Sequence, residues 1–282
     1  MAETLGAALQ AAAARLTEAG IERPQAEARL LLEAAAGLSR ATVIGFPERT
    51  IEATAHDALK RMVERRCRHE PAARILGRRE FWSLPFEVTP ATLDPRPDSE
   101  TLVGAVLAQI ADRTAALSII DFGTGTGCLL LALLSELPKA VGVGVDLSAE
   151  AITVAQRNAE ALGLATRTRF VRDDWARGLA DGFDVVISNP PYIESGAIAH
   201  LAAEVAAYDP RAALDGGTDG LDAYRALLPQ AERLLKPGGL LALEIGQGQG
   251  AAVRALVRAM GLRESGSASD LAGIERCLLF RA

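Results

Sequence analysis

The sequence predicts an α/β fold, in which an open, mostly parallel sheet carries helices on both faces and follows a small helical bundle and a hairpin linker. Three observations lead there. From Leu117 onward, short apolar runs alternate with helical patterns, the spacing of β-α-β units. Before that, roughly the first 75 residues show helical periodicity alone. Between the two, residues 81–97 turn aromatic, β-branched and rich in proline.

In chain order, Leu5, Leu9, Ala12 and Leu16 recur at helical spacing, and Gly20 suits a C-cap. Pro24 fits the first turn of a second helix, with Ala28, Leu31, Leu32 and Ala35 on its apolar side and an end near Gly37. A third helix is expected from about Ile51 to His69, closed by Pro71. These helices hold no catalytic constellation, so residues 1–75 read as a docking module. Residues 76–98 read as a hairpin linker, with prolines at 85, 90, 95 and 97. Within it, Trp82 and Phe86 are expected to pack, with a substrate-facing wall as the alternative.

Residues 99–282 carry the alternation. Strands are expected at Leu117 to Phe122, Val141 to Val145, Arg169 to Arg172, Phe183 to Ser188, Leu240 to Ile245 and Glu275 to Arg281. Helices are expected from Ser99, over Cys128 to Ser135, from the Ser148 cap to about Leu162, over Tyr224 to Leu235 and over Ala251 to Met260. Lys236-Pro237-Gly238-Gly239 reads as a turn. An open parallel sheet binds ligands beyond the carboxyl ends of its strands, so the loops after the first four strands converge on one crevice.

Those loops carry the chemistry. Gly123, Thr124, Gly125, Thr126 and Gly127 follow the first strand, and their glycines let backbone approach a bulky ligand at a helix N-terminus. A dinucleotide fingerprint would place its third glycine where Cys128 stands, which disfavours NAD. Asp146 closes the second strand about twenty residues on, where a carboxylate accepts ribose hydroxyls. Asp173 and Trp175 follow the third strand and suit an adenine, through its amine and its ring. After the fourth strand come Asn189, Pro190, Pro191 and Tyr192, a loop stiffened by two prolines. The Asn189 side-chain carbonyl and the Pro190 backbone carbonyl, beside the Tyr192 ring, suit a planar NH2 group.

Composition narrows the class. The 282 residues carry a formal charge of −6 and a pI near 5.3, which argues against a general nucleic-acid coat. A local basic run does exist, through Lys60, Arg61, Arg65, Arg66, Arg68, Arg74, Arg78 and Arg79, and reads as a solvated helix face or as the contact for an acidic or RNA-bearing partner. Cys67, Cys128 and Cys277 are odd in number and widely spaced, which fits a reducing compartment. The three histidines are scattered, and no metal site is expected. No secretory signal or membrane-length apolar run stands out, so a cytoplasmic protein is expected.

The motifs D-x-G-T-G-T-G, the acidic second-strand end and N-P-P-Y resemble those of class I S-adenosylmethionine-dependent amino-methyltransferases. P-A-A-R-I-L-G-R-R-E-F-W-S-L-P-F from Pro71, P-R-P-D-S-E from Pro95 and Y-D-P-R-A-A-L-D-G-G-T-D-G-L from Tyr208 resemble the release-factor glutamine methyltransferases in particular. The resemblance implies a Rossmann-like, seven-stranded sheet and methylation of the G-G-Q glutamine of bacterial class 1 peptide release factors. By the same resemblance, Gly123 to Gly127, Asp146, Asp173, Trp175 and Asn189 contact S-adenosylmethionine, and Asn189 to Tyr192 hold the glutamine. A monomer with no membrane partner and no nucleic-acid substrate is expected. Asp94, and Asp98-Ser99, depart from the family pattern in the linker. The rival reading is a DNA or RNA amino-methyltransferase using the basic run as its backbone contact.

Overall fold

The computed structural model describes residues 3–180 and 182–282, which fall into two compact units. The first runs up to Gly77 and also contains Ala202–Tyr208. It begins with α1 (Leu5–Glu18), whose first turn is capped by the Thr4 hydroxyl accepting from Ala7 N. α2 (Pro24–Ala36) opens on its proline and stops at Gly37, whose φ of 63° is the left-handed cap that glycine adopts most readily. α3 (Arg40–Gly45), α4 (Ala53–Cys67) and α5 (Ala72–Leu76) follow. Leu5, Leu16, Leu31, Leu32, Leu59 and Val63 meet in one core. The expected bundle of three helices therefore has two more. Six and five residues are too few to display a helical period, so α3 and α5 left no pattern to read.

In this unit Arg66 is buried and bridges Glu27 on α2 and Glu204 on a short helix, Ala203–Tyr208. Arg65 makes a bidentate pair with Glu70. In the second unit Arg79 lies 3.8 Å from Asp94. Three of the eight basic residues in the run, Arg65, Arg66 and Arg79, are thus engaged in internal ion pairs.

The second unit begins with β1 (Arg78–Phe81) and β2 (Leu84–Glu87), an antiparallel hairpin. Its turn residues Trp82 and Ser83 both have positive φ, which matches the twist of a tight hairpin. Phe81 and Phe86 pack edge to face in the core, while the Trp82 indole donates to Glu136. The packing role expected for this pair holds. Then come α6 (Glu100–Ala108), β3 (Ser118–Phe122), α7 (Cys128–Glu136), β4 (Val141–Asp146), α8 (Ala149–Ala161), β5 (Thr168–Arg172) and β6 (Phe183–Ser188). With Ala203–Tyr208 as α9, the chain closes through α10 (Asp222–Leu234), β7 (Leu235–Glu244), α11 (Gly250–Arg258), β8 (Arg263–Ser269) and β9 (Glu275–Arg281).

The seven strands lie in the order β5-β4-β3-β6-β7-β9-β8. The first five are parallel, and β9 joins antiparallel to both β7 and β8. Alternate residues serve opposite faces: Ile119, Val185 and Ala242 pack under α6 and α7, whereas Ile120, Val186 and Leu241 pack under α10 and α11. Two strands differ from the reading of the sequence. β8 is polar and lies at the sheet edge, so its Arg-Glu-Ser-Gly-Ser-Ala-Ser shows no apolar alternation. β7 starts at Leu235, and the expected turn is absorbed as a register shift between the Phe183–Leu235 and Val185–Leu240 pairs.

The order in which successive strands are added reverses at the centre. β4 and β5 extend to one side of β3, and β6 and β7 to the other, so the loops after β3 and β6 open at the switch point of the sheet.

Candidate active site

A cavity of about 610 Å³ opens there, lined by loops that follow β3, β4, β5 and β6. Gly123, Thr124, Gly125, Thr126, Asp146, Asp173, Trp175, Asn189 and Pro191 are on its wall. Gly127, Pro190 and Tyr192 are not among the lining residues, and each is the chain neighbour of one that is. Arg96 and Ser99 from the linker, Leu147, and Pro210, Ala212 and Ala213 complete the enclosure. Sequence reasoning missed these.

The glycine loop is built by its backbone. Gly123, Gly125 and Gly127 all have positive φ, and a Cβ on Gly125 would meet nothing within 4 Å, so a ligand can reach that peptide. Beneath it, the Thr124 hydroxyl donates to Asp121 Oδ2 over 2.7 Å, and burial pushes the Asp121 carboxyl up to about 7. Asn158 on α8 fixes the far side. Its Nδ2 donates to the Thr126 carbonyl at 2.9 Å, and its Oδ1 accepts from Glu87 N at 2.7 Å, which ties loop to hairpin.

Asp146 is aimed by two backbone donors. Gly125 N bonds Oδ2 and Ser148 N bonds Oδ1, each at 2.9 Å. Burial raises its pKa, against the pull of those N–H groups. Both oxygens keep a further lone pair for a ligand. Asp173 Oδ2 accepts from Gly178 N, and Trp175, itself at φ 54°, packs edge-on against Phe122 at 6.5 Å between centroids. Cys128 also lines the cavity, and burial pushes its thiol up to about 12, so it holds its proton and offers no nucleophile at neutral pH.

Asn189 Nδ2 donates to the Ser99 hydroxyl at 3.1 Å. Its Oδ1 accepts no bond among the described residues and remains an acceptor on the cavity wall. Tyr192 has protein partners at both its ends. Its phenol donates to Glu244 Oε1 at 3.4 Å, and its backbone carbonyl accepts from Gln249 Nε2 at 2.9 Å. These two bonds tie the loop to the end of β7 and to Gln249, just before α11. Glu244 is itself buried at the end of β7, and burial pushes its carboxyl up to about 7. Among the described residues, no group of three His, Cys, Asp or Glu side chains is placed to hold a metal ion, and no helix is long and apolar enough to cross a membrane.

A switch-point cavity with a glycine-rich loop, an acidic strand end and an N-P-P-Y wall defines a Rossmann-like methyltransferase. Residues 113–275 match the model of a methyltransferase domain, and residues 7–77 match the PrmC N-terminal domain. The release factor glutamine methyltransferase of Rhodospirillum rubrum is 48% identical over 277 residues, covering 98% of this chain and 85% of that protein. That of Caulobacter vibrioides is 46% identical over 280 residues, covering 99% and 96%. The chain belongs to the release factor glutamine methyltransferase family.

Solved structures agree on the fold. The hMettl16 catalytic domain in complex with a MAT2A 3′UTR hairpin superposes with a TM-score of 0.60 at 17% identity, over 74% of this chain and 80% of that one. The Thermus thermophilus 16S rRNA N2 G1207 methyltransferase, solved with AdoMet and guanosine, gives 0.54 at 20% identity, over 72% and 49%.

Proposed function

We propose that this chain transfers a methyl group from S-adenosylmethionine to the side-chain amide nitrogen of the G-G-Q glutamine in class 1 peptide release factors. One observation carries the reading: Asn189, with its carbonyl unengaged, shares a cavity wall with the Gly123–Gly127 loop and Asp146. Relatives named for release factor glutamine methylation align over nearly the whole chain, which favours a protein amide over a base amine. The internal pairing of Arg65, Arg66 and Arg79 weakens the nucleic-acid alternative further.

The cavity suits that donor. Asp146 would take the ribose hydroxyls, the open peptide at Gly125 would lie against the amino-acid portion, and Trp175, Leu147 and Asp173 would hold the adenine. When bound, the donor supplies a sulfonium methyl, already a strong electrophile. The Asn189 and Pro190 carbonyls would accept the two N–H bonds of the glutamine and aim its weakly nucleophilic nitrogen. They would also stabilise the positive charge that develops there. The bound donor would supply its methyl to that nitrogen as the C–S bond breaks, leaving S-adenosylhomocysteine, and the nitrogen would lose one proton to water. Tyr192 would pack its ring against the glutamine amide, its phenol tied to Glu244. The N-terminal unit, residues 1–75 with the linker to 98, would dock the release factor to the catalytic residues 99–282. The enzyme would act as a cytoplasmic monomer.

Methyl-labelled S-adenosylmethionine, supplied with a class 1 release factor and with a copy carrying alanine for the G-G-Q glutamine, tests this. Label is expected on the first alone; equal label on both would refute the assignment.

A further inference from the structure

We propose that Gln249, together with the D-G-G-T-D-G turn at residues 215–220, sets where the N-P-P-Y loop presents its acceptors and so positions the glutamine for methyl transfer. The inference rests on the reading that Asn189 and Pro190 receive that glutamine. Pro190 and Pro191 fix their own φ angles and carry no N–H, so they form a stiff strut that no backbone donation of their own holds. Where the strut points is decided at its two ends. One end is Ser188, paired in the sheet with Phe122 on β3 and with Leu243 on β7. The other is Tyr192 and Ile193, where the ties come from the turn and from Gln249.

Ile193 N donates to the Leu214 carbonyl at 2.9 Å, the Ile193 carbonyl accepts from Gly216 N at 2.8 Å, and Ser195 N donates to the Gly217 carbonyl at 2.8 Å. Gln249 Nε2 donates to the Tyr192 carbonyl at 2.9 Å and to the Gly220 carbonyl at 3.3 Å, while its Oε1 accepts from Gly246 N at 3.0 Å. All three partners are backbone groups of fixed polarity, so the side chain must offer two donors at one end and an acceptor at the other. The turn comes close because glycine lets it. A Cβ on Gly220, whose φ is 72°, would overlap the Tyr192 carbonyl oxygen, and one on Gly216 would stand 2.8 Å from Tyr192 Cα. Gln249 does not line the cavity. It is a positioning residue that acts through the Tyr192 carbonyl.

The test measures turnover of full-length enzyme per cofactor-binding site, the sites being counted by calorimetry with S-adenosylmethionine so that a misfolded fraction drops out. Gln249→Glu keeps the shape but turns an oxygen toward two carbonyls. With a class 1 release factor as substrate, its kcat per site is expected to fall about 100-fold, the scale of an ångström-sized misplacement of reacting groups. S-adenosylmethionine affinity and the release-factor KM are expected within about threefold of wild type. Gln249→Met, which removes the donors without adding charge, is expected to lose about tenfold in kcat per site. Gly220→Ala presses on the same carbonyl, so its loss combined with that of Gln249→Glu is expected to be smaller than the product of the two.

A kcat per site within about twofold of wild type in either Gln249 variant would overturn the proposal. So would a loss of cofactor affinity as large as the loss of kcat, the mark of a residue that only holds the domain together, and so would fully multiplicative losses in the Gly220 pair. Asn189→Ala measured alongside separates the two levels. If it abolishes transfer while Gln249→Glu turns over normally, only the anchoring role fails. If Asn189→Ala transfers normally, the underlying reading fails as well.

Discussion

Asn189 and Ser99 lie 90 positions apart in the chain, yet the Asn189 amide nitrogen donates to the Ser99 hydroxyl at 3.1 Å. One end of the amide is thereby occupied by protein, and the other is left to the cavity. That division of labour makes Asn189→Ala the most informative single change. Transfer should fall by about two to three orders of magnitude, the usual cost of removing one donor or acceptor aimed at developing charge. Calorimetry should find S-adenosylmethionine affinity within about threefold of wild type, because Asp146 and the glycine loop are untouched. Full turnover in this variant would remove Asn189 from the chemistry.

Asp146 offers a different signature. Both of its oxygens already accept a backbone N–H, so Asp146→Asn must turn its NH2 against either Gly125 N or Ser148 N. Cofactor affinity should drop roughly 10- to 100-fold by calorimetry, through lost charge and a disturbed loop together. Wild-type affinity would refute the ribose assignment.

Glu244 links the site to pH. Burial raises its carboxyl from an ordinary 4.5 to about 7. The folded state then holds the proton more tightly than the unfolded chain between those values. Its contribution to stability is therefore complete below about 4.5 and is lost as pH rises through about 7, worth at most about 3 kcal/mol. Glu244→Gln removes that titration. Relative to wild type, the variant should gain stability between pH 4.5 and pH 8 in denaturant melts, and a difference that is flat with pH would contradict the raised carboxyl.

Arg66 holds the N-terminal unit by charge. Its side chain is 4% exposed and bridges Glu27 and Glu204, which are 23% and 39% exposed. Arg66→Met keeps the aliphatic bulk but leaves two partly solvated carboxylates without their cation. The loss should be about 2–3 kcal/mol in urea melts, at the low end for broken buried pairs because water can still reach both partners. A loss below about 1 kcal/mol would mean the pairs act as ordinary surface bridges.

The sheet was legible where its strands are buried on both faces. Phe183 to Ser188 and Leu117 to Phe122 are mostly apolar and are followed by Asn189-Pro190 and by Gly123, so both pattern and punctuation show. β8 was not legible, because an edge strand with one antiparallel neighbour needs no apolar face. In the cavity the loop residues announced themselves, since glycines and prolines impose backbone conformation locally. Ser99, Asn158 and Glu244 did not. Each acts by a hydrogen bond or charge across 52 or more positions, to Asn189, to Glu87 or to Tyr192, and single polar residues carry no periodic signal.

The central claim concerns one nitrogen atom. Tandem mass spectrometry of a class 1 release factor treated with this enzyme and S-adenosylmethionine locates the added methyl group directly. The account expects a single methyl on the side-chain amide of the G-G-Q glutamine, absent when Asn189→Ala replaces the wild-type enzyme. A methyl on another side chain, or incorporation into nucleic acid while the glutamine stays unmodified, would contradict it.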